Sequence, residues 1–191
     1  MIIKNNKERL SKVCEPVDNI LEGEEIATKL LNELTNSKTP GIGLAANQIG
    51  INKRVCVINV KEPIIFINPQ ITKLDGEVLY TESCLSFPKK FVTTKRAKWV
   101  TIKSDNHGEI VMGSDQNDDS LLESVCIQHE IDHLDGITMF DRRVIKEPIK
   151  SNKIGRNEKV TITKGSESKI IKYKKAKQLL EDGWELITEN V

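Results

Sequence analysis

The stretch from Gln128 to Gly136, QHEIDHLDG, limits what this chain can become more than any other. If the stretch is helical, His129 and His133 lie one above the other on a single face, with Glu130 beside them. Two imidazoles one turn apart can ligate one cation while the adjacent carboxylate reaches a metal-bound water, which is the chemistry of H-E-x-x-H. The same five residues also arise by chance on buried helices, where the histidines are simply hydrogen-bonded, so the surrounding sequence has to decide. Ser120 and Glu123 form an S-x-x-E capping box ahead of the stretch, and Gly136 offers the stop. Leu122, Val125, Cys126, His129 and His133 keep helical spacing, so the metal face runs on from an apolar face and the site is expected in the core.

A length of 191 residues suits one domain with a small appendage and is enough to bury a sizeable core. The net charge of +1 gives no overall field for DNA or a membrane surface, although residues 150–191 are locally basic, with ten Lys+Arg against six Asp+Glu. Cys14, Cys56, Cys84 and Cys126 are too few and too scattered for a disulfide framework. The N-terminal MIIKNNKERL lacks the apolar run of a secretory signal, and the expected setting is the reducing cytoplasm.

Along the chain, residues 1–20 read as an extended arm packed on something else. Ile26, Leu30 and Leu34 recur every four residues, predicting a first helix over Glu24–Asn36 that Thr39, Pro40 and Gly41 end. Gly41 to Gly50, GIGLAANQIG, is a small-residue loop that lets backbone approach a ligand closely, although its spacing matches no phosphate loop. Strands are expected at Arg54–Val60, Pro63–Asn68, Ile71–Leu74, Glu77–Tyr80, Lys98–Lys103 and Glu109–Met112, with Asp75-Gly76 as the best hairpin signal. His107, in a polar turn, reads as solvent-exposed and not as a ligand. Between the strands, TESCLSFP places Cys84 in a loop, where it can complete the ligand set that the two histidines leave short. Cys126, seven residues before His133, lies near the same angle on the helix and competes for that role.

Three segments, GIGLAANQIG (Gly41–Gly50), ESCLSFP (Glu82–Pro88) and QHEIDHLDG (Gln128–Gly136), resemble in order and separation the three motifs of the peptide deformylases, and the resemblance spans roughly residues 8 to 142. It implies a metal-dependent hydrolase that removes the formyl group from N-formylmethionyl nascent peptides and releases formate. By that resemblance Cys84, His129 and His133 hold one divalent cation, Fe2+ by preference with Zn2+, Ni2+ or Co2+ as substitutes. Glu130 then carries the proton, while Gln48 and the backbone of Leu85 stabilise the oxyanion. Ile42, Gly43, Leu44, Val125 and Cys126 are expected to bind the peptide, and Gln128 to be structural. Family position favours Cys84 over Cys126 as the ligand. This sequence departs from the family at Ser83, where members usually carry glycine, and at Phe91, where many carry arginine, with Lys89 and Lys90 as the nearest cations. Arg96 is expected to pair with Glu82 and steady the ligand loop. A metalloprotease acting on internal bonds is the rival use of the same helix.

Beyond the resemblance lie a polar linker, 146–157, and an extension, 158–191, with a hairpin at Lys159–Thr163 and Lys169–Tyr173 and a helix over Lys174–Asp182 ended by Gly183. Trp184, Leu186 and Ile187 are expected to cover this β-β-α unit. The whole is expected to be α+β, with antiparallel sheets around a central metal-bearing helix in a catalytic domain of residues 1–145. It is read as a monomer, with the ribosome as a possible further partner.

Overall fold

Every residue from Ser124 to Leu134 is buried, so the helix bearing His129 and His133 is enclosed on all sides and the fold is what encloses it. A computed structural model describes residues 1–144, 154–164 and 167–187. The N-terminal arm contains a short helix, α1 (Lys7–Leu10), where an extended segment was expected. Helix α2 (Ile20–Thr35) begins four residues before the expected Glu24, because Asn19 caps it by accepting the Glu22 N–H at 3.0 Å. Gly23 does not break the helix: Ile67 packs so closely there that a Cβ would come within 2.6 Å of its Cδ1.

Gly43–Ala45 (β1) leads through a 3-10 turn at Ala46–Ile49 to β2 (Val55–Asn59) and β3 (Pro63–Ile67), an antiparallel sheet in the order β1-β2-β3. Side chains alternate across β2. Val55 and Val57 pack with Ile26, Ala27, Leu30 and Leu34 of α2, while Cys56 and Ile58 join Phe66 on the other side. Next come β4 (Gln70–Asp75), β5 (Val78–Cys84), β6 (Phe87–Arg96), β7 (Trp99–Ser104) and β8 (Gly108–Gly113). The Asp75-Gly76 turn forms, with Gly76 at φ +65°, yet it makes no hairpin. β4 pairs with β7, in a sheet ordered β4-β7-β8, and β5 pairs with β6. β6 is absent from the sequence expectation because two of its inward residues, Thr94 and Arg96, are polar, and hydrophobic alternation does not reveal them.

Helix α3 (Asp119–Leu134) fills the space between these sheets. Cys126, Ile127, Ile131 and Leu134 pack with Cys56, Ile58 and Phe66 on one side and with Val100, Ile102 and Met112 on the other. Its cap is Asp118, whose carboxylate accepts the Leu121 N–H at 3.0 Å, and not the expected Ser120. Lys61 Nζ instead draws Ser120 and Glu123 together from outside, at 2.8 and 3.0 Å. Gly136 ends the helix as expected, at φ +72°.

Contacts divide the chain into Met1–Val144 and Ile145–Val191, one residue before the expected boundary. Most of the expected linker, 146–153, lies outside the described residues. The second unit holds β9 (Lys159–Lys164), β10 (Glu167–Lys172), α4 (Tyr173–Glu181) and β11 (Glu185–Ile187), in the sheet order β10-β9-β11. It is therefore β-β-α-β and not β-β-α. Leu186 stands opposite Ile162 as a third strand, and Ile162 and Ala176 are fully buried.

Candidate metal centre

Cys84 closes β5 at the tight turn into β6, where the register slips. Ser83 faces Phe91 but Cys84 faces Phe87, which leaves Pro88, Lys89 and Lys90 as a bulge. Cys84 itself is buried against α3, its Sγ 3.2 Å from His133 Nε2. Cys84, His129 and His133 each offer a ligand atom within 4.8 Å of the others. The imidazoles meet edge to face with centroids 4.9 Å apart, as the four-residue spacing requires. Cys126 does not share in this cluster. Its Sγ is turned toward the Ile42 carbonyl at 3.3 Å, and burial pushes its thiol well above the ordinary value.

Electrostatics suit a cation at this point. Burial opposes a charge on His129, but the Cys84 sulfur and the Glu82 carboxylate outweigh it and raise its pKa well above that of ordinary imidazole. Burial, with His129 and Arg96 adding to it, lowers that of His133. A buried imidazole flanked by a sulfur and a carboxylate is a place where a cation is favoured. Glu130 Oε2, beside the cluster, is buried without a hydrogen-bond partner among the protein's atoms, which suits a carboxylate that meets a bound water or substrate. One thiolate and two imidazoles make a three-ligand set of the catalytic kind, so the residues present fit a divalent cation.

The cluster is held from behind. Glu82 Oε2 lies 2.8 Å from His129 Nδ1, a partner that turns Nε2 toward the other ligand atoms. Arg96 donates to both Glu82 oxygens, and Thr94 Oγ1 donates to one. Arg96 also donates to Asp132 at 2.6 Å, and Asp132 accepts from Arg142 as well. Burial alone would raise the Glu82 carboxyl, yet bonds from His129 and Arg96 hold it down at about 2. The Arg96–Glu82 pair was legible in the sequence. Thr94, Asp132 and Arg142 were not, although Asp132 occupies a middle position of H-E-x-x-H and a polar residue on a buried helix asks for a partner.

Gln48 stands on the 3-10 turn with both ends of its amide engaged. Its Oε1 accepts the Ala45 N–H at 2.8 Å, and its Nε2 donates to Ser86 Oγ at 3.1 Å and lies 3.5 Å from Cys84 Sγ. A cleft of about 810 Å³ opens above these groups. Ile42, Gly43, Gln48, Leu85, Val125, Cys126 and Glu130 line it, whereas Leu44 does not. β1 turns the Leu44 side chain, which is fully buried, into the core with Val55, Val57 and Leu30, so its expected place in the pocket wall is corrected. Burial raises the Glu130 carboxyl to about 7 against the opposing pull of His129. Gln128 is structural as expected, bonding the Ala97 backbone at N–H and carbonyl alike. His107 is exposed, also as expected, with its ring edge to face on Phe66.

The family model described as polypeptide deformylase matches residues 1–149. The chain belongs to the polypeptide deformylase family. It is 37% identical over 169 residues to a peptide deformylase of Neisseria meningitidis, covering 84% of this chain and 97% of that one. A crystal structure of a peptide deformylase from Legionella pneumophila superposes with a TM-score of 0.65 at 33% identity, over 75% of this chain and 85% of the other. The deformylase of a Vibrio parahaemolyticus bacteriophage, solved in complex with actinonin, gives a TM-score of 0.61 at 33% identity over 72% and 98%. Membership makes the chain a metal-dependent hydrolase with the antiparallel-sheet and central-helix architecture of these relatives.

Proposed function

We propose that this chain removes the formyl group from the N-terminal methionine of nascent polypeptides, releasing formate, and that Cys84, His129, Glu130, His133 and Gln48 carry the reaction. The observation that supports this most strongly is the convergence of Gln48, Cys84, His129 and Glu130 on one cleft, with His133 within ligand reach of Cys84 and His129 behind it and Glu130 Oε2 buried without a hydrogen-bond partner. Cys84, His129 and His133 would hold a divalent cation, which when bound lowers the pKa of water toward about 7 and polarises a carbonyl. A thiolate with two imidazoles is compatible with Fe2+, the cation assigned here, with Zn2+, Ni2+ or Co2+ able to substitute.

Glu130 is the proton carrier in this reading. With its pKa near 7, its carboxylate can take a proton from the attacking water and give it to the departing amine at neutral pH. The Gln48 amide and the Leu85 backbone N–H are the donors for the oxygen that becomes negative in the tetrahedral intermediate, and such a donor is worth about 10² to 10³ in rate. The Ala45 N–H holds the Gln48 amide oxygen, which keeps the amide nitrogen beside Cys84 at the cleft. Ile42, Val125 and Cys126 wall a space for an unbranched methionine side chain. At Gly43 the backbone can approach closely because there is no side chain. A Cβ there would collide with the Glu130 carboxylate and lie 2.7 Å from Cys126 Sγ. β1 and β5 each keep an edge free of strand pairing among the described residues, which suits an extended peptide.

Formate release from formyl-Met-Ala-Ser by anaerobically purified, Fe2+-loaded protein tests the assignment. Glu130→Gln should retain metal and lose at least about 10² in rate. Metal-loaded wild-type protein that releases no formate would overturn the proposal. A cytoplasmic monomer working beside the ribosome is the setting this function suits. The second unit, where Lys159 faces Lys172 across the sheet and Lys174 and Lys175 follow, offers a surface for ribosomal RNA. Cosedimentation with ribosomes that survives Lys174→Glu with Lys175→Glu would exclude that surface.

A further inference from the structure

The mouth of the cleft carries charge that the chemistry at its floor does not use. Lys4, Lys38 and Lys89 all line it, and among the described residues none of them forms an ion pair. The other charged groups along the cleft are accounted for. Glu33 pairs with the Met1 amine, and Glu82, His129 and Glu130 lie buried in the metal centre. The rim is therefore positive.

Backbone structure holds two of these cations in place. On either side of Lys4, the Ile3 N–H donates to the Gln48 carbonyl at 2.7 Å and the Asn5 N–H to the Ser86 carbonyl at 2.8 Å. Lys89 sits on the bulge created by the register slip at Cys84, at φ +63°, a left-handed conformation that lysine seldom adopts. Strain of this kind persists where the surroundings impose it, and it collects at ligand-facing positions. Phe91, which also lines the cleft, is 71% exposed beside the bulge.

We infer that this rim selects formylmethionyl peptides bearing carboxylates in the residues after methionine, with Lys89 as the main specificity determinant; the inference rests on the deformylase reading above. An extended peptide advances about 3.3 Å per residue, so its second to fourth residues reach the mouth while methionine occupies the floor. Opposite charges paired at an exposed rim are worth about two- to fivefold in affinity per cation, and salt screens them.

The test compares kcat/KM for C-terminally amidated formyl-Met-Ala-Asp-Glu, formyl-Met-Ala-Ser-Gln and formyl-Met-Ala-Lys-Lys. At low salt the acidic peptide should exceed the neutral one, and the neutral the basic one, each by about two- to fivefold, with the differences shrinking as salt is added. Lys89→Glu should shrink the differences, and only the triple variant with Lys4→Glu and Lys38→Glu should reverse the order. Lys89→Asn, which tolerates the left-handed backbone, should shrink the differences by less than Lys89→Glu, and this separates charge from strain. Equal kcat/KM for the acidic and basic peptides, or a preference unchanged in a Lys4→Glu, Lys38→Glu, Lys89→Glu triple variant, would overturn the inference. Formate from none of the peptides would count against the deformylase reading instead. In that event calorimetric Kd values of the unformylated peptides decide the rim's role: tighter binding of Met-Ala-Asp-Glu upholds it and equal binding overturns it.

Discussion

Removing the Arg96 guanidinium would strand two carboxylates, Glu82 and Asp132, that are themselves buried. Breaking a buried pair in this way costs about 3 to 5 kcal/mol, somewhat less here because Arg142 still reaches Asp132. Arg96→Ala should therefore lower the urea midpoint strongly. It should also weaken metal affinity by about 10- to 100-fold, since Glu82 would no longer be held against His129. Unchanged metal affinity would make Arg96 a purely structural residue. The two cysteines near α3 allow a sharper test. Cys84→Ser should lose bound metal, whereas Cys126→Ala should keep it, because Cys126 is engaged with the Ile42 carbonyl. Metal content of the purified variants measures both, and the reverse result would exchange their roles.

Among the elements, α3 depends on how it ends as much as on how it packs. Gly136 takes φ +72°, and a Cβ there would come within 2.5 Å of the Ser11 carbonyl oxygen, so the helix end and the N-terminal arm are fitted to a residue without a side chain. Gly108, the first residue of β8 after the turn from β7, has a similar φ of +68° but open space around it. Gly108→Ala should cost only the backbone term, about 1 kcal/mol, whereas Gly136→Ala adds a backbone clash and should cost about 3 kcal/mol or more. Equal shifts in Tm would show that the contact with Ser11 has no energetic weight. The cap at the other end of α3 illustrates how far local signals reach. Ser120 and Glu123 have the spacing of a capping box, but Asp118 lies two residues earlier and holds the Leu121 N–H, leaving the pair to Lys61.

At the scale of the whole molecule, one carboxylate ties the N-terminal arm to the segment after α3. Asp141 accepts from Lys7 Nζ at 2.6 Å and from the Thr138 hydroxyl and N–H. Burial opposes its charge, but these donors lower its pKa from 3.8 to about 2. Because the folded pKa is the lower one, this stabilisation is present above pH 4 or so and fades as pH falls through about 2. Asp141→Asn should flatten the loss of stability across that acid range and leave the neutral range without any pH slope from this group, as urea melts at stepped pH would show. An unaltered acid limb would mean that the arm is held by other contacts. Much of the molecule was legible beforehand for a physical reason: helical spacing, small-residue runs and metal-ligand chemistry act over a few residues. His129, Glu130 and His133, the periodicity of α2, the strands β7 and β8 and the Arg96–Glu82 pair could all be read from the chain. Strand pairing is a competition between distant segments, and only the folded chain resolves it. β5 takes β6 and not β4, and the slip in that pairing buries Cys84 and lifts Lys89 to the rim, while the pairing of β1 with β2 turns Leu44 away from the cleft. By itself the sequence determined which chemical groups the site contains, Cys84 among them through its family position; the tertiary structure decided which cations guard the entrance, because that depends on a register that no local stretch encodes.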